Sequence, residues 1–366
     1  MKIDFQRNAL SNMELEDRLQ QAFQVTDRAI DEGAAPGGVL AVGNQSQVVY
    51  HTYGVTTPLE NGAPVDRETI YDLASITKLF TTFMALHLLE KGEYRLDDPV
   101  SRFLPAYLRE DKSTITMRQL MTHTSGLKPH DEFFRICHNP QEMLEAIVGS
   151  PMQSLPGEKV AYSCLGYISL AQALEQIAGQ SLPEYLKANL FQPLEMQDSG
   201  FNLHFPKKSI APTEQSDWDN QLCWGVVHDE NARCQGGISG NAGMFSNAKD
   251  LSRFAQMWLG QGDYKDIHFL SPATVQLSIQ NYTKSFSAEY RGLGWLLKAP
   301  LLSFMGDLTA NTSFGHTGFT GTSLVINPEL GIFVIWLTNR VHPTRKEERL
   351  LRYRALVHNA VFAALT

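Results

Sequence analysis

Apolar residues Leu15, Leu19, Ala22, Phe23 and Ile30 recur near helical spacing over residues 13–31, with a charged face opposite and Gly33 behind them as a stop. That pattern predicts an amphipathic first helix. Two β-like runs follow at 38–43 and 47–53, and Asn44-Gln45-Ser46 between them reads as a hairpin turn. From Ser75 the pattern changes: no Gly or Pro occurs until Gly92, and apolar residues cover most of the helix surface. A helix apolar nearly all round is a buried one. Helical periodicity continues at 117–121, 141–148, 165–177, 182–188 and 248–259, broken by Pro- and Gly-containing turns. Strand-like runs then return at 292–297, 322–326 and 332–338, punctuated by Asn327-Pro328, before a last helix over 346–365 that places Leu350, Tyr353, Val357, Val361 and Ala364 on one face.

The economical fold is α/β (α+β): an antiparallel sheet built from early and late strands, covered by the first and last helices, with a mostly helical lobe inserted. The expected division is one domain over 1–366, with 1–70 and 286–366 forming the sheet lobe and 71–285 the helical one. A chain of 366 residues, 43% of them hydrophobic, is long enough to bury such a core.

Charge narrows the function. With 31 basic against 39 acidic residues and no long basic run, nothing neutralises a phosphate backbone, and nucleic acid is excluded as a partner. The most apolar run, 332–337, falls far short of a membrane span. Residues 1–12 lack the apolar stretch of a signal peptide, and the 4 cysteines form no Cys-x-x-Cys pair. Both features lead us to expect a cytoplasmic protein with reduced thiols.

Several familiar sites are missing: no Gly-Lys for a phosphate loop, no His-Glu-x-x-His for zinc, no Gly-x-Ser-x-Gly elbow. No metal is expected; His228-Asp229-Glu230 reads better as a polar turn than as a metal site. Ser-x-x-Lys occurs three times, at Ser75/Lys78, Ser125/Lys128 and Ser246/Lys249. The second copy runs into Lys128-Pro129, a turn, and in the third Ser246 and Asn247 read as helix caps. Ser75 and Lys78 stand at the start of the buried helix, where i, i+3 spacing puts hydroxyl and amine on one face. There the helix dipole and free N–H groups favour the charge of acyl transfer, and a lysine desolvated beside other cations has a lowered pKa and accepts a proton. On this pair alone, a capping serine beside a solvated lysine reads equally well.

Further residues resolve that balance. Ser75-Ile76-Thr77-Lys78, the segment from Thr116 to His123-Thr124-Ser125-Gly126-Leu127, Tyr162-Ser163-Cys164 and His316-Thr317-Gly318 occur in this order. So do Gly236-Gly237 to Gly243-Met244-Phe245-Ser246 and Leu337-Thr338-Asn339-Arg340. Together they resemble the penicillin-recognising serine hydrolases: class C β-lactamases, DD-carboxypeptidases and family VIII-type esterases. The resemblance implies Ser75 as nucleophile, Lys78 as its hydrogen-bond partner and Tyr162 as the base, its phenol activated by positive charge from Lys78 and His316. It also implies an oxyanion hole from the N–H groups of Ser75 and Phe319, substrate contacts from Cys164, His316, Thr317 and Gly318, and no cofactor. Two departures matter: Cys164 replaces the usual amide of Tyr-x-Asn with a weak donor, and His316 replaces the lysine usual in β-lactamases. The expected activity is hydrolysis of an ester or amide (a β-lactam, a D-Ala peptide or a small ester), with esterase-type chemistry favoured over efficient β-lactamase action. The rival reading is a penicillin-binding or ligand-sensing protein that acylates without efficient turnover.

Overall fold

The computed structural model describes residues 11–300 and 303–366, so most of the 1–12 stretch read for a signal peptide lies outside the described residues. The first helix, Asn12–Asp31, begins at a capping box in which Ser11 and Glu14 satisfy each other's backbone N–H groups. Strands β1 (Gly37–Gly43) and β2 (Val48–Gly54) form the expected hairpin. The late strands are β3 (Leu296–Leu297), β4 (Phe314–Thr317), β5 (Ser323–Asn327) and β6 (Ile332–Thr338).

These six strands make one antiparallel sheet in the order β2-β1-β6-β5-β4-β3. Early and late chain meet at β1 and β6, where Leu40 faces Trp336 and Gly38 faces Thr338. Both strands are buried throughout because the sheet is covered on both sides. Leu40, Val42 and Trp336 point to one layer, packing on Leu15, Leu19 and Ala22 of the first helix and on Leu350, Val357 and Val361 of the C-terminal helix, Arg349–Leu365. The alternate residues Val39, Ala41, Ile335 and Leu337 join Leu251, Phe254 and Trp258 of helix Ala248–Leu259 in the core of the helical lobe. A period of two thus serves two cores.

The structure corrects four local expectations. Of the strand read at 292–297, Leu296–Leu297 alone is paired, because Gly294 adopts φ 77° in a tight turn closed by Gly292 N–H to the Trp295 carbonyl. The last helix starts at Arg349 rather than residue 346. The helix read at 182–188 leaves α geometry after Leu186 for a wider turn, Lys187–Phe191. Ser246 lies in a short strand, Met244–Ser246, and leaves the capping to Asn247, whose side chain accepts the Asp250 N–H. Among the described residues no helix is long and apolar enough to cross a membrane.

Candidate active site

Ser75 sits not on the long helix but in a 3-10 turn, Ala74–Ile76, that leads into it at Thr77–Glu90. The chain reaches this turn from the short strand Tyr71–Asp72, which pairs with Met244–Ser246. The buried Asp72 carboxylate accepts the N–H of Ala74 at 2.8 Å and that of His228 at 2.7 Å. Ala74 is held at φ 46°, a conformation that side-chain-bearing residues rarely adopt. Burial raises the Asp72 carboxyl above the ordinary aspartate range, and the two N–H donors oppose that rise without cancelling it. This carboxylate therefore ties the Ser75 turn to the 228 loop.

Lys78, one turn on, is fully buried (0% exposed). Its Nζ donates to Ser75 Oγ at 3.0 Å, to the Asn241 carbonyl at 3.0 Å and to Cys164 Sγ at 3.6 Å. Burial by itself pushes the ammonium pKa down, but the facing Cys164 thiol and Tyr162 phenol, with Asp229 beyond them, more than offset this and hold it above the ordinary lysine value. The expectation of a lowered lysine pKa is thus corrected: the groups that face Lys78 are a thiol and a phenol, not cations.

Tyr162 lies across the cleft just before helix Cys164–Ala178, which Ser163 caps through the Gly166 N–H. Lys78 Nζ is 4.9 Å and the Arg291 guanidinium 5.1 Å from the centre of its ring. Behind it His123 packs at 4.4 Å between ring centroids, and Nδ1 of His123 accepts the Ser163 N–H at 3.0 Å. The second cation near Tyr162 is therefore Arg291, not His316. His316 is 3% exposed, and burial, then the charges of Lys78 and Arg291, push its pKa down to about 3. Its Nδ1–H donates to the Thr317 carbonyl at 2.9 Å, so Nε2, which has no partner among the described residues, carries a lone pair.

Strand β4 delivers His316, Thr317, Gly318 and Phe319 to the cleft edge. Thr320 Oγ1 donates to the Asp72 carbonyl at 2.7 Å, and Thr322 Oγ1 to the Leu73 carbonyl at 3.1 Å, which clamps the turn after β4 onto the Ser75 segment. Gly318 is required by this approach, since a Cβ there would overlap Thr322 Oγ1 and the Leu73 carbonyl oxygen. The N–H groups of Ser75 and Phe319 carry no hydrogen bond among the described residues. Two free donors beside a hydroxyl and an ammonium are what a developing oxyanion requires.

Ser75, Tyr162, Cys164, His316, Thr317, Gly318 and Phe319 all line one cavity of about 750 Å³, and Lys78 lies beneath it. The 228–230 segment lines it too: rather than a mere polar turn, it is fixed by Asp72 and by Asp229, which caps helix Glu230–Cys234. Among the described residues no group of three or more His, Cys, Asp or Glu side chains is placed to hold a metal ion. Arg340, the end of the Leu337-Thr338-Asn339-Arg340 segment, also lines the cavity, as do Arg291, Arg345 and Arg354, which no local pattern in the sequence singled out.

The buried histidines set a pH limit on stability. Burial lowers His316 to about 3 and His358 to about 4, so the unfolded chain, whose histidines titrate near 6.5, binds more protons across the interval between. Stability falls as pH drops below about 6.5, by up to roughly 1.4 kcal/mol per pH unit for each such histidine. Thermal melts are expected to show a Tm that declines steeply between about pH 6 and pH 4; a flat profile there contradicts the neutral assignment.

The Beta-lactamase family model matches residues 22–359. The chain is 29% identical to an Escherichia coli (strain K12) protein bearing the name "Putative D-alanyl-D-alanine carboxypeptidase", over 89% of this chain and 83% of that one. It is 28% identical to an N-acetylmuramyl-L-alanine amidase of Bacillus subtilis (strain 168), over 89% and 81% of the two chains. Among solved structures, EstCE1, a hydrolase with promiscuous acyltransferase activity, superposes with a TM-score of 0.77 at 24% identity, covering 96% of this chain and 99% of that one.

Proposed function

The chain belongs to the Beta-lactamase family and is a serine hydrolase acting on an ester or amide through an acyl-serine intermediate; from that premise we propose that Ser75 carries the acyl group and that small neutral esters are the preferred donors. Ser75 Oγ attacks the carbonyl carbon and its proton passes to the Tyr162 oxygen, where Lys78 and Arg291 offset the negative charge of the accepting form. Lys78, a cation throughout, positions Ser75 and is not the base. The carbonyl oxygen turns toward the N–H groups of Ser75 and Phe319; the bond to the leaving group then breaks, and Tyr162 returns the proton to it. Water repeats the sequence on the acyl ester.

The observation that carries the ester preference is His316. A β-lactam or a C-terminal peptide brings a carboxylate, and a neutral imidazole with a free lone pair offers it no cation at the β4 edge. The arginines of the cavity are already engaged, Arg291 by Glu289, Arg345 by Glu214 and Glu230, and Arg340 and Arg354 by backbone carbonyls. A charge-assisted hydrogen bond contributes about 1.5–3 kcal/mol, so its loss corresponds to roughly 10–100-fold in kcat/KM. Cys164 acts in the same direction, for a thiol already facing Lys78 is a poor donor to an amide carbonyl.

Comparing kcat/KM for p-nitrophenyl butyrate and a chromogenic cephalosporin tests this reading. A ratio of at least about tenfold in favour of the ester is expected, and comparable rates overturn it. Cys164→Asn is expected to keep ester hydrolysis within a few-fold while raising activity on amides; loss of ester hydrolysis would instead make Cys164 part of the essential chemistry. The names of the E. coli and B. subtilis relatives make D-alanyl peptides and muramyl amides the amides to assay.

A further inference from the structure

Arg354, on the C-terminal helix, is 5% exposed, and its Nη2 donates to the carbonyl oxygens of Gly318 at 2.8 Å and Thr322 at 3.1 Å. Both acceptors are neutral backbone groups and its Nε has no partner among the described residues, so a positive charge is buried against carbonyls. Burial, reinforced by the charge of Arg340, lowers its pKa to about 9, in keeping with no anion facing it among the described residues. Holding the shape of the turn does not require that charge. Gly318 N–H to the Thr322 carbonyl at 2.8 Å, Gly321 N–H to the Gly318 carbonyl at 3.2 Å and the two threonine bonds to Asp72 and Leu73 already close it.

The Gly318 carbonyl and the Phe319 N–H are two ends of one peptide unit, whose resonance couples them. A cation bonded to the oxygen withdraws electron density from the nitrogen and makes its N–H a stronger donor. We propose that Arg354 is a positioning residue for the reaction, acting through the Gly318–Phe319 peptide to strengthen the Phe319 N–H toward the developing oxyanion. This rests on the reading of Phe319 N–H as an oxyanion donor.

The test compares the native enzyme with Arg354→Gln, which keeps a hydrogen-bond donor without charge, and Arg354→Lys, which keeps charge. Three quantities are read: kcat and KM on p-nitrophenyl esters, Tm, and the infrared carbonyl stretch of the acyl-enzyme formed with a 13C-carbonyl ester. The native stretch is expected well below that of the same ester in water. Arg354→Gln is expected to move it upward and to lower kcat about tenfold, a fraction of the loss typical of removing a donor outright, with KM within about twofold; Arg354→Lys should lie between the two. A native stretch equal to that in water overturns the oxyanion reading and this assignment together. A shifted native stretch that Arg354→Gln leaves in place, with kcat unchanged, overturns the Arg354 assignment alone. Should Arg354→Gln fail to fold, Arg354→Met, which removes charge and donor at similar volume, decides: a folded methionine variant with native KM and with the carbonyl stretch and kcat unchanged likewise overturns it.

Discussion

Ser75→Ala is expected to reduce p-nitrophenyl ester hydrolysis by at least about 10⁴-fold, because removing a nucleophile from a preassembled site leaves only binding and oxyanion stabilisation. The same substitution at Ser125 or Ser246, the other serines in Ser-x-x-Lys spacing, is expected to leave kcat within a few-fold. The reason is placement. Ser125 is buried, and its hydroxyl bonds the Leu127 N–H within its own turn, while Lys128 pairs with Asp131 at 2.8 Å. Ser246 faces Ser199 at 2.7 Å in the short strand that supports the Ser75 turn, and Lys249 reaches Glu68 at 2.9 Å. At Ser75 alone do the serine and lysine of the pattern meet, at 3.0 Å, on the wall of the cavity. Steady-state rates on folded variants check this; substantial activity in Ser75→Ala would contradict it.

Lys78→Met is expected to lower kcat about 10²–10⁴-fold, the range for groups that manage proton transfer, without lowering Tm. Methionine fills a similar volume but removes the charge that offsets the accepting form of Tyr162 and orients Ser75 Oγ. In the folded protein the ammonium is bonded to a hydroxyl, a carbonyl and a thiol, not to a carboxylate. Replacing it with an apolar side chain removes both the desolvation of the charge and the contacts that offset it, so the two changes in stability oppose each other, and function rather than stability explains its presence. A variant with a sharply lower Tm would show Lys78 to be a structural tie, and one with native kcat would remove it from the proton path.

Much of this architecture is legible where periodicity is long. The buried helix after Ser75, the amphipathic first helix and the alternation in β1 and β6 each repeat over many residues, and each forms close to its expected limits. Strands of two residues such as Tyr71–Asp72 and Leu296–Leu297 have no room to show a period, and pairing with distant partners defines them. The candidate site divides the same way. Ser75 and Lys78 are one helical turn apart, so their meeting is written in local spacing. Asp72, Arg291 and Arg354 carry no such signal, because their positions depend on contacts across the fold: the Asp72 carboxylate with the His228 N–H, 156 positions on, and Arg354 with Gly318, 36 positions back. The charge state of His316 was likewise hidden. Its burial between the two lobes, beside Lys78 and Arg291, and not its residue type makes it neutral.

The most direct measurement is labelling of the native protein with a fluorophosphonate, followed by intact mass and proteolytic mapping of the adduct, with Ser75→Ala as the control. A single adduct confined to the peptide carrying Ser75, and absent from Ser75→Ala, is the predicted result. No adduct, or one that persists in the variant at Cys164 or another serine, would contradict Ser75 as the acyl-bearing residue.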